Sequence, residues 1–87
     1  MFVVKIKKKV LKRLAKLPED ITKAFKELAV DLRETGPVQL SWPNYSRLSK
    51  DAHHCHLSYH YVACWTYENA TITIEVYYVG SRENAPY

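Results

Sequence analysis

The sequence predicts an α+β fold, with an N-terminal strand and a helical hairpin packed on one face of a mainly antiparallel sheet. Three observations predict it. Apolar residues recur at helical spacing between Ile6 and Leu32, and they alternate at strand spacing between Thr71 and Val79. A proline-bearing loop, residues 37–52, separates the two regimes. With 87 residues there is room for one core, so residues 1–87 are read as a single domain.

The elements follow in chain order. Phe2-Val3-Val4 with Ile6 is a short apolar run rich in β-branched residues, the expected first strand. From Lys7 the period changes: Ile6, Val10, Leu14 and Leu17 form one stripe of an amphipathic helix, and lysines occupy the other faces. Pro18 closes that helix and opens the next, whose first turn carries Glu19 and Asp20 against the positive end of the helix dipole. Ile21, Phe25, Leu28 and Leu32 are its buried stripe, and Gly36-Pro37 ends it. Residues 37–52 read as loop with a short strand near Ser46–Leu48.

Three strands complete the sheet, over 53–58, 61–67 and 71–79. A two-residue turn at Tyr59-His60 pairs Leu57 with Val62 and Cys55 with Cys64, giving four apolar groups on one face. The same register sends His54, His56, Ser58, Tyr61, Ala63 and Trp65 to the opposite face. The last strand alternates Ile72, Ile74, Val76 and Tyr78 with Thr71, Thr73, Glu75 and Tyr77, so one face is buried and the other is left open. Leu14, Phe25, Leu28, Ile74 and Val76 should therefore be buried together.

Composition removes several function classes. Hydrophobic residues are 47% of the chain and charged ones 25%, which is globular composition, not disorder. Two glycines are too few for a phosphate-cradling glycine loop. No apolar run is long enough for a signal peptide or a membrane span, and Cys55 and Cys64 are too few for a secreted disulfide framework. The expectation is a cytoplasmic protein with buried thiols.

The net charge of +4 is unevenly placed: nine of the 13 cations lie between Lys5 and Lys26. A cluster including Lys7, Lys8, Lys9, Lys12, Arg13 and Lys16 suits a polyanion, because neutralising phosphates releases condensed counterions. A solvated helix face accounts for the cluster equally well.

All four histidines, His53, His54, His56 and His60, lie within eight residues. His54 and His56 share a face one strand repeat apart. Imidazole titrates near neutral pH, so one can act as general base and the other as general acid. Cleavage of RNA by its own 2′-hydroxyl needs those parts, together with a cation on the scissile phosphate. Zinc ligation is the rival use of the pair. It wants a third ligand, and Cys55 points the other way, so no metal site and no cofactor are expected. Surface histidines packed on Tyr61 and Trp65 are the structural alternative.

The C-terminal run Val76-Tyr77-Tyr78-Val79-Gly80-Ser81-Arg82-Glu83 resembles the closing strand of the RelE/HigB toxins of bacterial toxin–antitoxin pairs. His54-Cys55-His56-Leu57-Ser58 and Tyr61-Val62-Ala63-Cys64-Trp65 are similar to the middle hairpin of the HigB-like, phage Gp49-related branch. Trp42-Pro43-Asn44-Tyr45 and Glu83-Asn84-Ala85-Pro86-Tyr87 are similar to that branch as well. The resemblance spans nearly the whole chain and rests on the order of elements plus Gly80-Ser81-Arg82.

It implies a ribosome-dependent mRNA endonuclease that blocks translation, with mRNA, the ribosome and a cognate helix-turn-helix antitoxin as partners, and no membrane partner. By the same resemblance Arg82 matches the family's arginine and His54 and His56 its alternating basic positions. Tyr87 lies one residue short of the family tyrosine. The middle-strand arginine of the family has no counterpart, since His60, Tyr61 and Val62 offer no permanent cation. Trp65 and the basic helix are the expected RNA and ribosome contacts. The other reading open to this fold is a ParE-like gyrase poison, or an inactive RNA-binding module.

Overall fold

A computed structural model describes all residues, Met1–Tyr87. Strand β1 (Val3–Ile6) leads directly into helix α1 (Lys8–Leu14), and helix α2 (Glu19–Thr35) returns across the molecule. Strands β2 (Ser46–Arg47), β3 (Ala52–His56), β4 (Tyr61–Tyr67) and β5 (Thr73–Ser81) follow, and a short 3₁₀ turn (Arg82–Asn84) leads to the C-terminus. The sheet order is β1-β5-β4-β3-β2, antiparallel throughout except for the parallel β1–β5 pair.

The two helical stripes form as their spacing requires. Ile21, Phe25, Leu28 and Leu32 are all buried along α2, and Val10 is buried on α1 with Leu14 half-buried beside it. Val10, Phe25, Leu28 and Leu32 meet Cys55, Ala63, Trp65, Ile74, Val76 and Val79 in one core cluster, with Leu14 packed against it. Gly36 ends α2 with φ at +94°, and a side chain there would meet the Phe2 ring at 2.9 Å. Glycine is thus needed both for its backbone and for its missing Cβ. Gln39 and Trp42 then tie the following loop back to α2, the first donating to the Gly36 carbonyl at 2.7 Å and the second to Asp31 Oδ2 at 2.8 Å.

The β3–β4 hairpin departs from the expected register by one residue. The Leu57 N–H donates to the Tyr61 carbonyl at 2.8 Å, so Ser58, Tyr59 and His60 form a three-residue turn instead of a two-residue one. The Cα partners become His56–Val62, Cys55–Ala63, His54–Cys64 and His53–Trp65. A slip of one residue exchanges the faces of a whole strand. Consequently Ala63 and Trp65 enter the core, while Val62 and Cys64 join His54 and His56 on the other side. Cys55 and Cys64 fall on opposite faces as free thiols, and burial pushes each up to about 12.

A second irregularity lies in β5. Cys64 pairs with Tyr78 but Trp65 pairs with Val76, leaving Tyr77 as a bulge. The alternation expected through Tyr78 therefore breaks at Tyr77. Val79, not Tyr78, follows Val76 in the core.

Candidate active site

On the sheet face away from the helices two rows of side chains run across β3, β4 and β5. One is His54–Cys64–Tyr78 and the other is His56–Val62–Gly80, as the strand register dictates. Val62 and Cys64 are fully buried and form an apolar floor between the histidines and β5.

The His54 and His56 rings lie with centroids 5.8 Å apart. His54 is 8% exposed and its Nδ1 shares a 2.9 Å hydrogen bond with Ser46 Oγ of β2. That bond fixes the ring and leaves Nε2 without a hydrogen-bond partner. Burial lowers the His54 pKa, the Ser46 hydrogen bond pulls it up in part, and the neighbouring His56 lowers it further. His54 is thereby held neutral at neutral pH, the form a general base needs. Ser46 is a partner that sequence reasoning missed: it lies eight residues upstream, and only the β2–β3 pairing of Ser46 with His54 brings it there.

Tyr87 packs on His54 with ring centroids 4.7 Å apart. Burial raises its pKa, the Cys64 and Tyr78 groups add to the rise, and Arg82 opposes it. The C-terminal residue, the sheet floor and Arg82 are therefore close enough to share a field. Arg82 itself is exposed; its backbone N–H donates to the His60 carbonyl at 2.8 Å and its guanidinium lies 4.5 Å from the centre of the Tyr59 ring. His54, His56 and Tyr87 thus gather on one face of the sheet, and Arg82 lies just past the end of β5, against Tyr59 of the turn.

The other two histidines serve elsewhere. His53 is fully buried on the helix side, stacked at 6.0 Å and 2° on Trp65, with Nδ1 hydrogen-bonded to the Tyr45 hydroxyl at 2.7 Å. Burial lowers its pKa, and Arg47 adds to that against the opposing pull of Asp51. His60 sits in the exposed turn with its ring against Tyr59.

Trp65 must be withdrawn as an RNA contact. It has no exposed surface, its ring lies in the core, and its indole N–H donates to the Pro37 carbonyl at 3.0 Å. The hairpin register that puts it there is the cause.

The basic cluster is divided by the structure. Lys7 caps α1 and makes the chain's one ion pair, 3.9 Å from Glu75. Lys9, Lys12, Arg13 and Lys16 line a common open groove of about 410 Å³ along α1, and Lys8 is exposed outside it. Lys9 and Arg13 also line a second groove, about 310 Å³, whose other wall is Tyr77, Tyr78, Asn84 and Pro86. The basic strip therefore runs continuously from α1 to the C-terminal segment that carries Tyr87. No helix is long and apolar enough to cross a membrane.

Against known proteins the chain matches no family model and no curated sequence. Solved structures do match it. The archaeal RelE–RelB complex from Pyrococcus horikoshii superposes with a TM-score of 0.76 at 21% identity, covering 97% of this chain and 98% of that one. The isolated E. coli RelE toxin gives 0.75 at 20%, covering 99% and 89%. The YoeB–YefM complex from Staphylococcus aureus gives 0.72 at 8%, covering 94% and 98%. The whole chain therefore has the RelE fold: two helices on a five-stranded mixed sheet.

Proposed function

We propose that this chain is the toxin of a toxin–antitoxin pair and that it cuts mRNA on the ribosome. One observation carries the reading: two adjacent histidines, one held neutral by burial, stand on the open face beside Tyr87, which itself lies in the field of Arg82. The fold, shared with RelE and YoeB toxins solved alone or with their antitoxins, supports it.

The chemistry follows from the groups present. His54 Nε2 removes the proton from a ribose 2′-hydroxyl. The 2′-oxygen attacks phosphorus and forms a 2′,3′-cyclic phosphate. The P–O5′ bond breaks, and the departing 5′-oxygen takes a proton from His56, whose imidazolium form is then restored from solvent. Arg82 stabilises the extra negative charge on the phosphorane-like transition state. Tyr87, stacked on His54, positions the nucleotide. No metal ion takes part in this scheme. The lysines of α1 dock on ribosomal RNA, and a helix-turn-helix antitoxin restrains the activity in the cytoplasm. The HigB-like branch rests on the sequence resemblance of the middle hairpin and the C-terminal segment.

Induced expression tests the reading. Translation should stop, and ribosome-associated messages should carry new 5′ ends within coding sequence. DNA damage with intact messages would replace this reading by a gyrase poison. Arrest with neither lesion would leave an RNA-binding module.

A further inference from the structure

Strand β4 supplies no cation to the open face, and Arg82 rests on Tyr59 at the turn. A second arginine reaches that face from an unexpected element. β1 pairs with β5 only from Thr73 to Val76, so the rest of β5 has no strand beside it on that flank. The chain instead turns there: the Lys7 N–H donates to the Val76 carbonyl and α1 runs along the free edge. Arg13, near the end of α1, extends around this edge. Its guanidinium lies 5.7 Å from the centre of the Tyr78 ring. Its Nη1 is 3.3 Å from the point where a side chain on Gly80 would begin.

Tyr78 and Gly80 belong to the two rows that contain His54 and His56. Arg13 therefore stands across the floor from the histidines, roughly two strand spacings, or ~10 Å, away along the sheet. A ribose and its phosphate fill such a gap. Arg13 has no carboxylate partner, since the only ion pair is Lys7–Glu75. Its planar fork suits two oxygens of one phosphate.

Gly80 is what permits the arrangement. A Cβ there would lie 2.8 Å from the Tyr78 hydroxyl, which folds back to donate to the Ser81 carbonyl at 2.7 Å. The ring so held is the one Arg13 rests against.

We propose that Arg13 is a phosphate-binding residue of the active site, gripping the scissile phosphate from the β5 side while His54 and His56 transfer protons from the β3 side. Lys9, Lys12 and Lys16 then carry the RNA strand onward along α1. The proposal rests on the endonuclease reading and adds a residue to it.

Single-turnover cleavage of ribosome-bound message, at saturating ribosomes, tests it with the intact chain, Arg13→Ala, Arg13→Lys and Gly80→Ala. Ribosome sedimentation is measured in parallel. Arg13→Ala should slow cleavage by ~10²–10³ with sedimentation retained. Arg13→Lys should fall between, keeping the charge without the fork. Gly80→Ala should lower the rate at saturation by displacing Tyr78 and Arg13. Arg13 is exposed and its replacement opens no cavity, so folding is not at issue. If the intact chain cuts and Arg13→Ala cuts at the same rate, the Arg13 assignment falls and the endonuclease reading stands. If only sedimentation is lost, Arg13 serves docking and the assignment again falls. If the intact chain leaves message uncut, both fall together.

Discussion

The two faces of the sheet are built from alternate residues of the same strands, yet they are put together by different means. On the helix side, Phe25, Leu28 and Leu32 meet Trp65, Ile74 and Val76 in a continuous apolar layer, where one residue's position is set by the packing of its neighbours. On the open side, each candidate group is held by a separate device. Ser46 fixes His54, Tyr87 covers it, a glycine makes room for Tyr78, and Arg13 arrives around an unpaired strand edge. The first face is cooperative and tolerates little loss of volume. The second is modular, so single substitutions there should remove function while leaving the fold in place.

The largest expected difference is in stability. Phe25→Ala, at a residue 3% exposed in the core cluster, should cost ~3–5 kcal/mol, much of the stability of so small a domain. Chemical denaturation of this variant beside His56→Ala measures the contrast. Equal losses would show that the open face also carries the fold.

Next in size is the effect of the α1 groove. Reversing Lys9, Lys12 and Lys16 to glutamate should weaken ribosome association by about tenfold or more and flatten its salt dependence. The same reversal at Lys7 and Lys8 should do less, because Lys7 already faces Glu75 and Lys8 lies outside the groove. Sedimentation at several salt concentrations measures both. Equal effects would return the whole cluster to a solvated helix face.

The smallest effect is a pH dependence of stability. His53 and His54 both have pKa values lowered by burial, so the unfolded chain binds protons that the native state refuses. Stability should then be full above about pH 6.5 and decline as pH falls below it, because the unfolded state binds more protons there. His53→Phe should reduce that slope. An unchanged slope between pH 5 and 7 would assign it to other groups.

The helical half of this molecule is legible in the sequence because its signal is redundant. Four residues spaced at 3.6 per turn identify the buried face of α2, and an error at one would not move the rest. The hairpin has no such redundancy. The alternation of β3 alone puts His54 and His56 on the open face, but the partner strand depends on a single residue of turn length. That residue carried Trp65 into the core and Cys64 out of it. The bulge at Tyr77 gives no pattern of its own, since both Tyr77 and Tyr78 suit either face. Arg13 is legible in the sequence as one of the RNA-facing cations of the basic helix, but not as a neighbour of Tyr78 and Gly80. Its direction follows from β1 stopping at Ile6, a fact about pairing and not about periodicity.

The central claim is that His54 and His56 transfer protons in RNA cleavage. Primer extension on ribosome-bound message, comparing the intact chain with His54→Ala, His56→Ala and Arg82→Ala, tests it most directly. The two histidine variants should each slow cleavage by ~10²–10⁴ and Arg82→Ala by ~10²–10³, with folding intact by circular dichroism. For the intact chain the acid limb of the rate profile should lie below the ordinary imidazole value, since burial depresses His54. Cleavage at an undiminished rate in both histidine variants would contradict the account and reduce His54 and His56 to packed surface residues.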